Sequence, residues 1–372
     1  MNLELHLAQL QQPPAIALIA SVLMLAAGYG IGALATLPFP AIRRSALSIP
    51  LLTVLGLDLI ALCSLFAAPL VAMAPRPVLW AVLGAAALYG AFRLRRDLTG
   101  IFKRPVLLFT AGFGVFTLGS ALCLPYAWDE QVYQAALPFR YLTQGSAAVL
   151  PDNPYSALAS MNHFLLLIPC KLGGVLMPRL LVWSSYLLIF PWFYLLLERR
   201  GKVAAAILTL AVVLAPVTPV MNRNAYAEGY ILLNLLAGLT ALRLCRKQPM
   251  PMALYLGFFS GMAAAVKLTG GGVSLALFFL WLGRWTATVS GVSAVMRLEP
   301  CSEWLPSICV LSSAPATRSI PTARSCSPPE LPPPRWNFTT LNSAAIFTAS
   351  PAFPAFCQAG FWRRSTERRS TA

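Results

Sequence analysis

Two adjacent carboxylates, Asp129 and Glu130, stand in the polar stretch YAWDEQVYQAALPFRYL between long apolar segments. A carboxylate at the exit of such a segment can act as a general base and take a proton from a substrate hydroxyl. The structural alternative is a helix start, because Asp129 is a good N-cap residue and acidic groups favour a first turn. The spacing leaves both interpretations open. Tyr133 and Arg140, in the same stretch, are candidate substrate contacts.

A second polar cluster, MNRNAYAEGY, carries Arg223 and Glu228. In the structural interpretation, Arg223 reaches the lipid headgroups and Glu228 caps a helix start. Glu228 leads into the apolar run GYILLNLLAGL, however, and an ionisable residue inside a membrane boundary is a functional candidate by default. Both residues are therefore also candidate substrate-binding groups.

A third cluster, GFFSGMAAAVKLTGGG, places Lys267 at the end of an apolar segment. Lys267 can extend to the headgroups or hold a phosphate as a point charge. His163 is a further candidate substrate contact, although an interfacial side chain is its simpler interpretation. Asp58, in the middle of the apolar run LGLDLIAL, suits a structural pairing or a function equally well.

The ligand types that bind metals are sparse in this chain. It has two His and eight scattered Cys without a CxxC pair, which argues against a zinc site or a disulfide framework. The adjacent carboxylates Asp129 and Glu130 could bind Mg²⁺ or Mn²⁺, but the remaining ligands are not identifiable. A divalent cation is thus a possible cofactor, and no cofactor is required by the pattern.

The composition indicates a membrane protein with several spans. The chain has 372 residues, of which 11% are charged, and its mean hydropathy is +0.69. Apolar runs of about 20 residues match the thickness of a bilayer. The net charge of +16 reflects short basic clusters between these runs, which is typical of membrane topology, and no basic soluble domain that would bind nucleic acid is present. The apolar segments fall near 15–37, 47–74, 77–92, 105–124, 158–176, 180–197, 203–221, 225–243, 252–268 and 270–285.

The basic clusters orient these segments, since Lys and Arg accumulate on the cytoplasmic side. All clusters fall on that side only if segment 158–176 does not cross the membrane, so we interpret it as an interfacial helix in a large outer loop. Nine transmembrane helices then remain, and the three polar clusters meet on the outer face. The basic clusters are Arg43 with Arg44, RLRRD with Lys103 and Arg104, ERRGK, RLCRKQ and Arg284.

The sequence divides into three regions. Residues 1–104 hold the N-terminal transmembrane helices, and residues 105–285 form a membrane core with the outer loop 125–157. From residue 286 to 372 the chain contains no Lys, Asp, His or Tyr and is rich in Pro, Ser and Arg. Its prolines oppose regular structure, so we interpret 286–372 as a disordered or frameshifted tail, with frameshifting as the favoured interpretation.

The order of the clusters resembles the GT-C superfamily of integral-membrane glycosyltransferases. A span precedes WDExxY, then come NPYSALASMNHFLLLIPCKLGG, PRLLVWSSYLLIFPWFYLLLERRG, APVTPVMNRNAYAEG and finally YLGFFSGMAAAVKLTGG. This succession, over 105–285, is most similar to the bacterial protein O-mannosyltransferases and lipid A aminoarabinose transferases (family 39-like). The usual His-Pro-Pro-Leu-type segment is replaced by ASMNHFLL, residues 15–92 lie outside the common core, and the further spans of the family are replaced by the tail.

The resemblance implies an all-α, GT-C-like fold in the bacterial inner membrane, with the catalytic loop on the periplasmic side. It implies that Asp129, with Glu130 beside it, is the base or metal-site residue, and that Glu228, Lys267 and Arg179 match further family positions. The implied activity is transfer of a sugar from a polyprenyl-phosphate donor to a lipid, glycan or protein acceptor. The alternatives are a truncated, non-catalytic membrane protein and a transporter, the latter centred on Asp58.

Overall fold

The computed structural model describes residues 12–38, 45–97, 105–123, 125, 127–157, 160–246 and 248–289. Within these residues the regular structure is helical, without strands, as the sequence predicts. The predicted tail lies outside the described residues, except that the last helix continues from 286 to Val289. The helices are α1 Pro14–Ala35, α2 Ser48–Phe66, α3 Ala68–Met73, α4 Arg76–Asp97, α5 Pro105–Ala121, α6 Ala136–Gln144, α7 Met161–Gly173, α8 Met177–Leu197, α9 Lys202–Leu214, α10 Val217–Arg223, α11 Glu228–Leu244, α12 Pro249–Val266 and α13 Gly270–Val289.

Several helices are suited to a membrane. Five helical stretches of the described residues are long and apolar enough to cross a bilayer, or six if the bent pair α9–α10 counts as one span. The coarser prediction, an all-α chain with multiple apolar spans, is confirmed for the described residues. The number of nine spans stays a prediction, since α5 and α11, at 17 residues each, are shorter than the usual ~20.

Two predicted segments are divided in the structure. Segment 47–74 becomes α2 and α3, because the helix is interrupted at Ala67 ahead of Pro69. Segment 203–221 becomes α9 and α10, which meet at an angle of 66°. Pro216 lies at this break, and proline both lacks a backbone N–H and disfavours a helical conformation in the residue before it.

Glycines allow the N-terminal helices to pack closely. A Cβ on Gly56 of α2 would lie 1.8 Å from the carbonyl oxygen of Gly28 in α1, and one on Gly30 would lie 2.0 Å from that of Ala86 in α4. Real side chains do not tolerate such distances, so only glycine permits these approaches. Helix α1 is therefore clamped between α2 and α4, in the manner of small-residue packing in membranes.

The basic residues after α8 and at the end of α11 share one end of the bundle. Arg243 Nη1 donates hydrogen bonds to the carbonyl oxygens of Leu196 at 2.8 Å and of Leu195 at 3.4 Å, so the last turn of α11 caps the last turn of α8. Arg284 in α13 lies close enough to Arg246 for their charges to interact. The structure thus places these basic clusters together, as the topology argument requires, while the side of the membrane stays a prediction.

Helix α7, predicted as the interfacial segment, is hydrogen-bonded at its two ends to α12 and α3, and its interfacial position stays a prediction. Ser160 Oγ, just before its first residue, donates to the carbonyl oxygen of Val266 at 2.7 Å. Lys171 Nζ, near its last turn, donates to the carbonyl oxygens of Val71 at 2.8 Å and Ala72 at 2.5 Å. The helix has 13 residues, hence a length of only about 20 Å. It packs against α2, α1 and α6 and is mostly buried in protein.

The regular helix is interrupted between α7 and α8. Gly174 adopts φ 71° and ψ −155°, a conformation that a residue with a Cβ rarely takes. A short 3₁₀ turn, Gly174–Leu176, then leads into α8. This glycine turn places Arg179, in the first turn of α8, at the end of the bundle that holds the polar loop.

Candidate functional site

The structure brings the three polar clusters of the sequence together. The main-chain N–H of Ala225 donates to Glu130 Oε1 at 2.6 Å, which joins the second cluster to the first. Lys267 Nζ and Glu228 Oε1 are 2.7 Å apart, which joins the third cluster to the second. We call this junction the polar site. It lies where α11 begins and α12 ends, opposite the basic end of the bundle.

Glu130 is the anchor of the polar site. Its carboxylate receives two hydrogen bonds from Arg179, Nε to Oε1 at 2.8 Å and Nη2 to Oε2 at 2.5 Å, and both side chains are fully buried. The N–H groups of Ala225 and Ala127 donate to the same carboxylate at 2.6 and 3.1 Å, and Arg179 Nη1 donates to the carbonyl oxygen of Cys123 at 3.0 Å. Both carboxylate oxygens are therefore occupied, and Glu130 holds the loop in place.

Asp129, by contrast, is partly exposed and has an aromatic partner. It takes part in no ion pair of the described residues. Its side chain does not cap a helix, since Asp129 itself has helical torsions and makes no capping hydrogen bond. Instead it lies near the hydroxyl of Tyr133, and burial together with the neighbouring Asp129 raises the pKa of Tyr133 to about 12. Tyr133 thus stays protonated at neutral pH and lies beside Asp129.

A turn of π-helix sets the relative directions of these groups. It spans Glu130–Gln134, and the N–H of Ala135 donates to the carbonyl oxygen of Glu130 at 2.9 Å, five residues back. Such turns are frequent at functional sites. Within it, Glu130 points into the protein towards Arg179, while Asp129 and Tyr133, four residues apart, remain side by side.

Aromatic rings line the loop beside Asp129. Tyr133 stacks on Tyr155 with 4.7 Å between the ring centroids, and Trp128 meets Tyr155 edge-on at 5.9 Å. His163, at the start of α7, lies edge-on to Tyr133 at 6.4 Å and is buried. Trp128 is 60% exposed. The site therefore combines a carboxylate with an open aromatic surface.

Among the described residues, several buried polar atoms of the second cluster and of α7 have no hydrogen-bond partner. They include Nε2 of His163, Oε2 of Glu228 and Nε of Arg223. The side-chain carbonyl oxygens of Asn222 and Asn224, on either side of Arg223, also lack a hydrogen-bond partner among the described residues. Such atoms are costly unless satisfied, and their concentration in the second cluster and at the start of α7 indicates a place where a polar ligand could bind.

The residues predicted to contact the substrate differ in the side chains with which they interact. Arg140 pairs with Asp152 at 2.6 Å within the loop, and this guanidinium holds the pKa of the Asp152 carboxyl below its usual range. Lys267 pairs with Glu228, whose charge in turn acts on Tyr133. Tyr133, Glu228 and Lys267 therefore belong to one connected group beside Asp129, whereas Arg140 stabilises the loop.

The described residues do not offer a ligand set for a divalent cation. No group of three or more His, Cys, Asp or Glu side chains within them converges on one point. Glu130, one of the two carboxylates considered for this role, uses both oxygens for Arg179 and main-chain N–H groups. The donor atoms of the described residues therefore do not fit the divalent cation considered from the sequence.

Sequence reasoning did not single out Trp128 and Tyr155, nor the pairing of Glu130 with Arg179. The two aromatic residues carried a usable signal, because exposed Trp and Tyr in a polar loop are typical of binding surfaces. The ion pair between Glu130 and Arg179 gave no signal in the sequence, since its two residues are 49 positions apart.

Comparisons of the chain with protein-family models, with curated proteins and with solved structures found no match.

Proposed function

We propose that this chain is a membrane glycosyltransferase of the GT-C type. It transfers a sugar from a polyprenyl-phosphate donor to a lipid, glycan or protein acceptor at the outer face of a bacterial inner membrane. The observation that carries the proposal is the junction of the polar site: Asp129 and its aromatic surface lie beside the Glu228–Lys267 pair. The resemblance of the cluster order to GT-C enzymes is what motivates this choice of activity.

In this proposal Asp129 is the catalytic base. It is the partly exposed member of the carboxylate pair and lies beside Tyr133, so it can receive the proton of an acceptor hydroxyl or amine. The acceptor atom then forms a bond to the anomeric carbon of the sugar from the face opposite to the phosphate. The bond between that carbon and the phosphate oxygen breaks, and the configuration of the sugar inverts.

The departing phosphate carries the electron pair of the broken bond and requires a cation. Lys267 and Arg223 supply this charge in the proposal, and the unpartnered Nε of Arg223 is available to donate a hydrogen bond. Trp128, Tyr155 and Tyr133 provide flat apolar surfaces on which a sugar ring can stack. Glu228 holds Lys267 in position through their ion pair of 2.7 Å.

The test is Asp129→Asn in proteoliposomes that contain radiolabelled polyprenyl-phosphate mannose or aminoarabinose. Release of the sugar from its lipid and transfer to added acceptors are measured together. We expect transfer to be lost while membrane insertion and helix content stay unchanged, because Asn keeps the shape of Asp but cannot take the proton. Asp152→Asn, in the same loop and paired with Arg140, is the matched control and should retain transfer. Unchanged transfer in Asp129→Asn would refute the assignment.

A second candidate, a transporter, is favoured by one observation. Asp58 is completely buried within α2, a helix suited to cross the membrane. Intramembrane carboxylates frequently mark ion or proton pathways. Substrate or proton flux in proteoliposomes that depends on Asp58 and not on Asp129 would favour this candidate over glycosyl transfer.

A further inference from the structure

Asp58 joins two helices through hydrogen bonds far from the polar loop in sequence. It lies near the middle of α2 and is fully buried. The hydroxyl of Tyr230 in α11 donates to Asp58 Oδ1, and Asn234 Nδ2, one turn further along α11, lies 3.5 Å from the same oxygen. The three side chains form a group that we call the buried triad.

The buried triad has more acceptors than donors. Asp58 Oδ2 and Asn234 Oδ1 are both buried, and neither has a hydrogen-bond partner within the part of the chain that the structure describes. The amide orientation of Asn234 is fixed, because its Nδ2 donates to the carbonyl oxygen of Tyr230 at 3.1 Å. One additional hydrogen, carried on Asp58 Oδ2, would turn one of the two unpartnered acceptors into a donor.

Among the described residues, no cation balances a charge on Asp58. It takes part in none of their ion pairs, and an isolated carboxylate in a low-dielectric environment is expensive. Helix α2 packs against α1, α3, α7 and α11. Tyr230 is a titratable side chain of these helices that hydrogen-bonds to Asp58. The other titratable side chains on the four helices are Tyr29, His163, Cys170, Lys171, Glu228 and Arg243.

We propose that the buried triad is a proton-binding site in which Asp58 is held as the neutral carboxylic acid at neutral pH. The bound proton removes the charge that the interior cannot compensate, and it leaves Oδ1 free to accept from Tyr230. The neutral triad then clamps α2 to the first turns of α11, which also carry Glu228 of the polar site. Removal of the proton would place an unpaired charge between the two helices and weaken this contact. The proposal does not depend on glycosyl transfer.

Infrared spectroscopy tests the protonation state directly. The full chain is reconstituted in lipid nanodiscs at neutral pH, unlabelled and with carboxyl-¹³C aspartate. We expect a carbonyl stretch of a protonated carboxylic acid that shifts with the ¹³C label and in D₂O. The band should be lost completely in Asp58→Asn and kept in Asp152→Asn. Absence of the band in the wild-type protein, or its persistence in Asp58→Asn, would overturn the proposal.

A second variant keeps the test valid if Asp58→Asn does not fold. Tyr230→Phe removes only the hydroxyl that donates to Asp58, so the band should remain and move to higher frequency. A band unchanged in frequency would contradict the assignment. Repeating the wild-type spectrum with sodium and with choline separates a proton from a metal cation, because a band that sodium abolishes would mean that the triad binds sodium instead.

Discussion

The ion pair between Glu130 and Arg179 gives a prediction whose magnitude follows from its burial. Arg179→Met removes the two donors at 2.8 and 2.5 Å and leaves Glu130 with the N–H groups of Ala225 and Ala127. Breaking a fully buried pair by removing one partner costs about 3–5 kcal/mol. Because two main-chain donors remain, we expect a loss of about 3 kcal/mol in the free energy of unfolding.

The double variant separates the charge from the packing. With Glu130→Gln and Arg179→Met together, no unpaired charge stays buried, and the introduced glutamine amide would still accept from the main chain. The double variant should therefore be less destabilised than the sum of the two single variants. We expect a coupling of at least about 2 kcal/mol, since each single change removes one member of a fully buried ion pair, whereas the double change removes both charges.

The assay is unfolding of the full chain by SDS in mixed micelles, followed by circular dichroism. Arg140→Met is the matched control, because it breaks an ion pair of the same type between side chains that are 33% and 57% exposed. Exposed pairs contribute about 0.2–1 kcal/mol. The reasoning is refuted if Arg179→Met destabilises the protein no more than Arg140→Met, or if the losses of the two single variants simply add.

Two further predictions use the same assay. Gly56→Ala should destabilise the protein by about 1–3 kcal/mol through overpacking, because its Cβ would lie 1.8 Å from the carbonyl oxygen of Gly28. The control is Gly84→Ala, whose Cβ would have nothing within 4 Å and which should not be destabilising. Equal losses of stability in the two variants would contradict the close packing of α1 and α2. The pKa of Tyr133 is raised from 10.0 to about 12, so its contribution to stability is full below pH 10 and is lost as the pH rises through 12. In Tyr133→Phe, the free energy of unfolding should therefore fall less between pH 10 and 12 than in the wild type. An equal fall in both proteins would argue against the contact with Asp129.

The helices of this protein were largely predictable from the sequence. Each predicted apolar segment contains a helix, because a span must satisfy all its backbone hydrogen bonds internally and therefore needs a long apolar run. The breaks at Ala67 and Pro216 were missed, although Pro69 and Pro216 are visible, since membrane helices often tolerate proline. The basic clusters predicted that α8 and α11 end together, and Arg243 joins those two ends.

The candidate site was predictable in its members but not in their partners. The sequence indicated that Asp129, Glu228 and Lys267 would share one face, because alternating spans bring their ends to the same side of the bundle. The spacing alone could not distinguish Asp129 from Glu130, since adjacent residues of the same type look alike in a pattern, and only the family resemblance pointed to Asp129. The π-turn and Arg179 make that distinction by drawing Glu130 into the protein.

The sequence by itself determined which segments are apolar helices and which are polar, because hydrophobicity, length and charge act locally along the chain. It established the helical class, the apolar spans and the three polar clusters at their ends. Only the tertiary structure decided which side chains meet: Glu130 with Arg179 at a separation of 49 residues, and Asp58 with Tyr230 at 172. Such pairings depend on which helix faces pack against each other. Because the paired residues are far apart along the chain, no local sequence pattern indicates them.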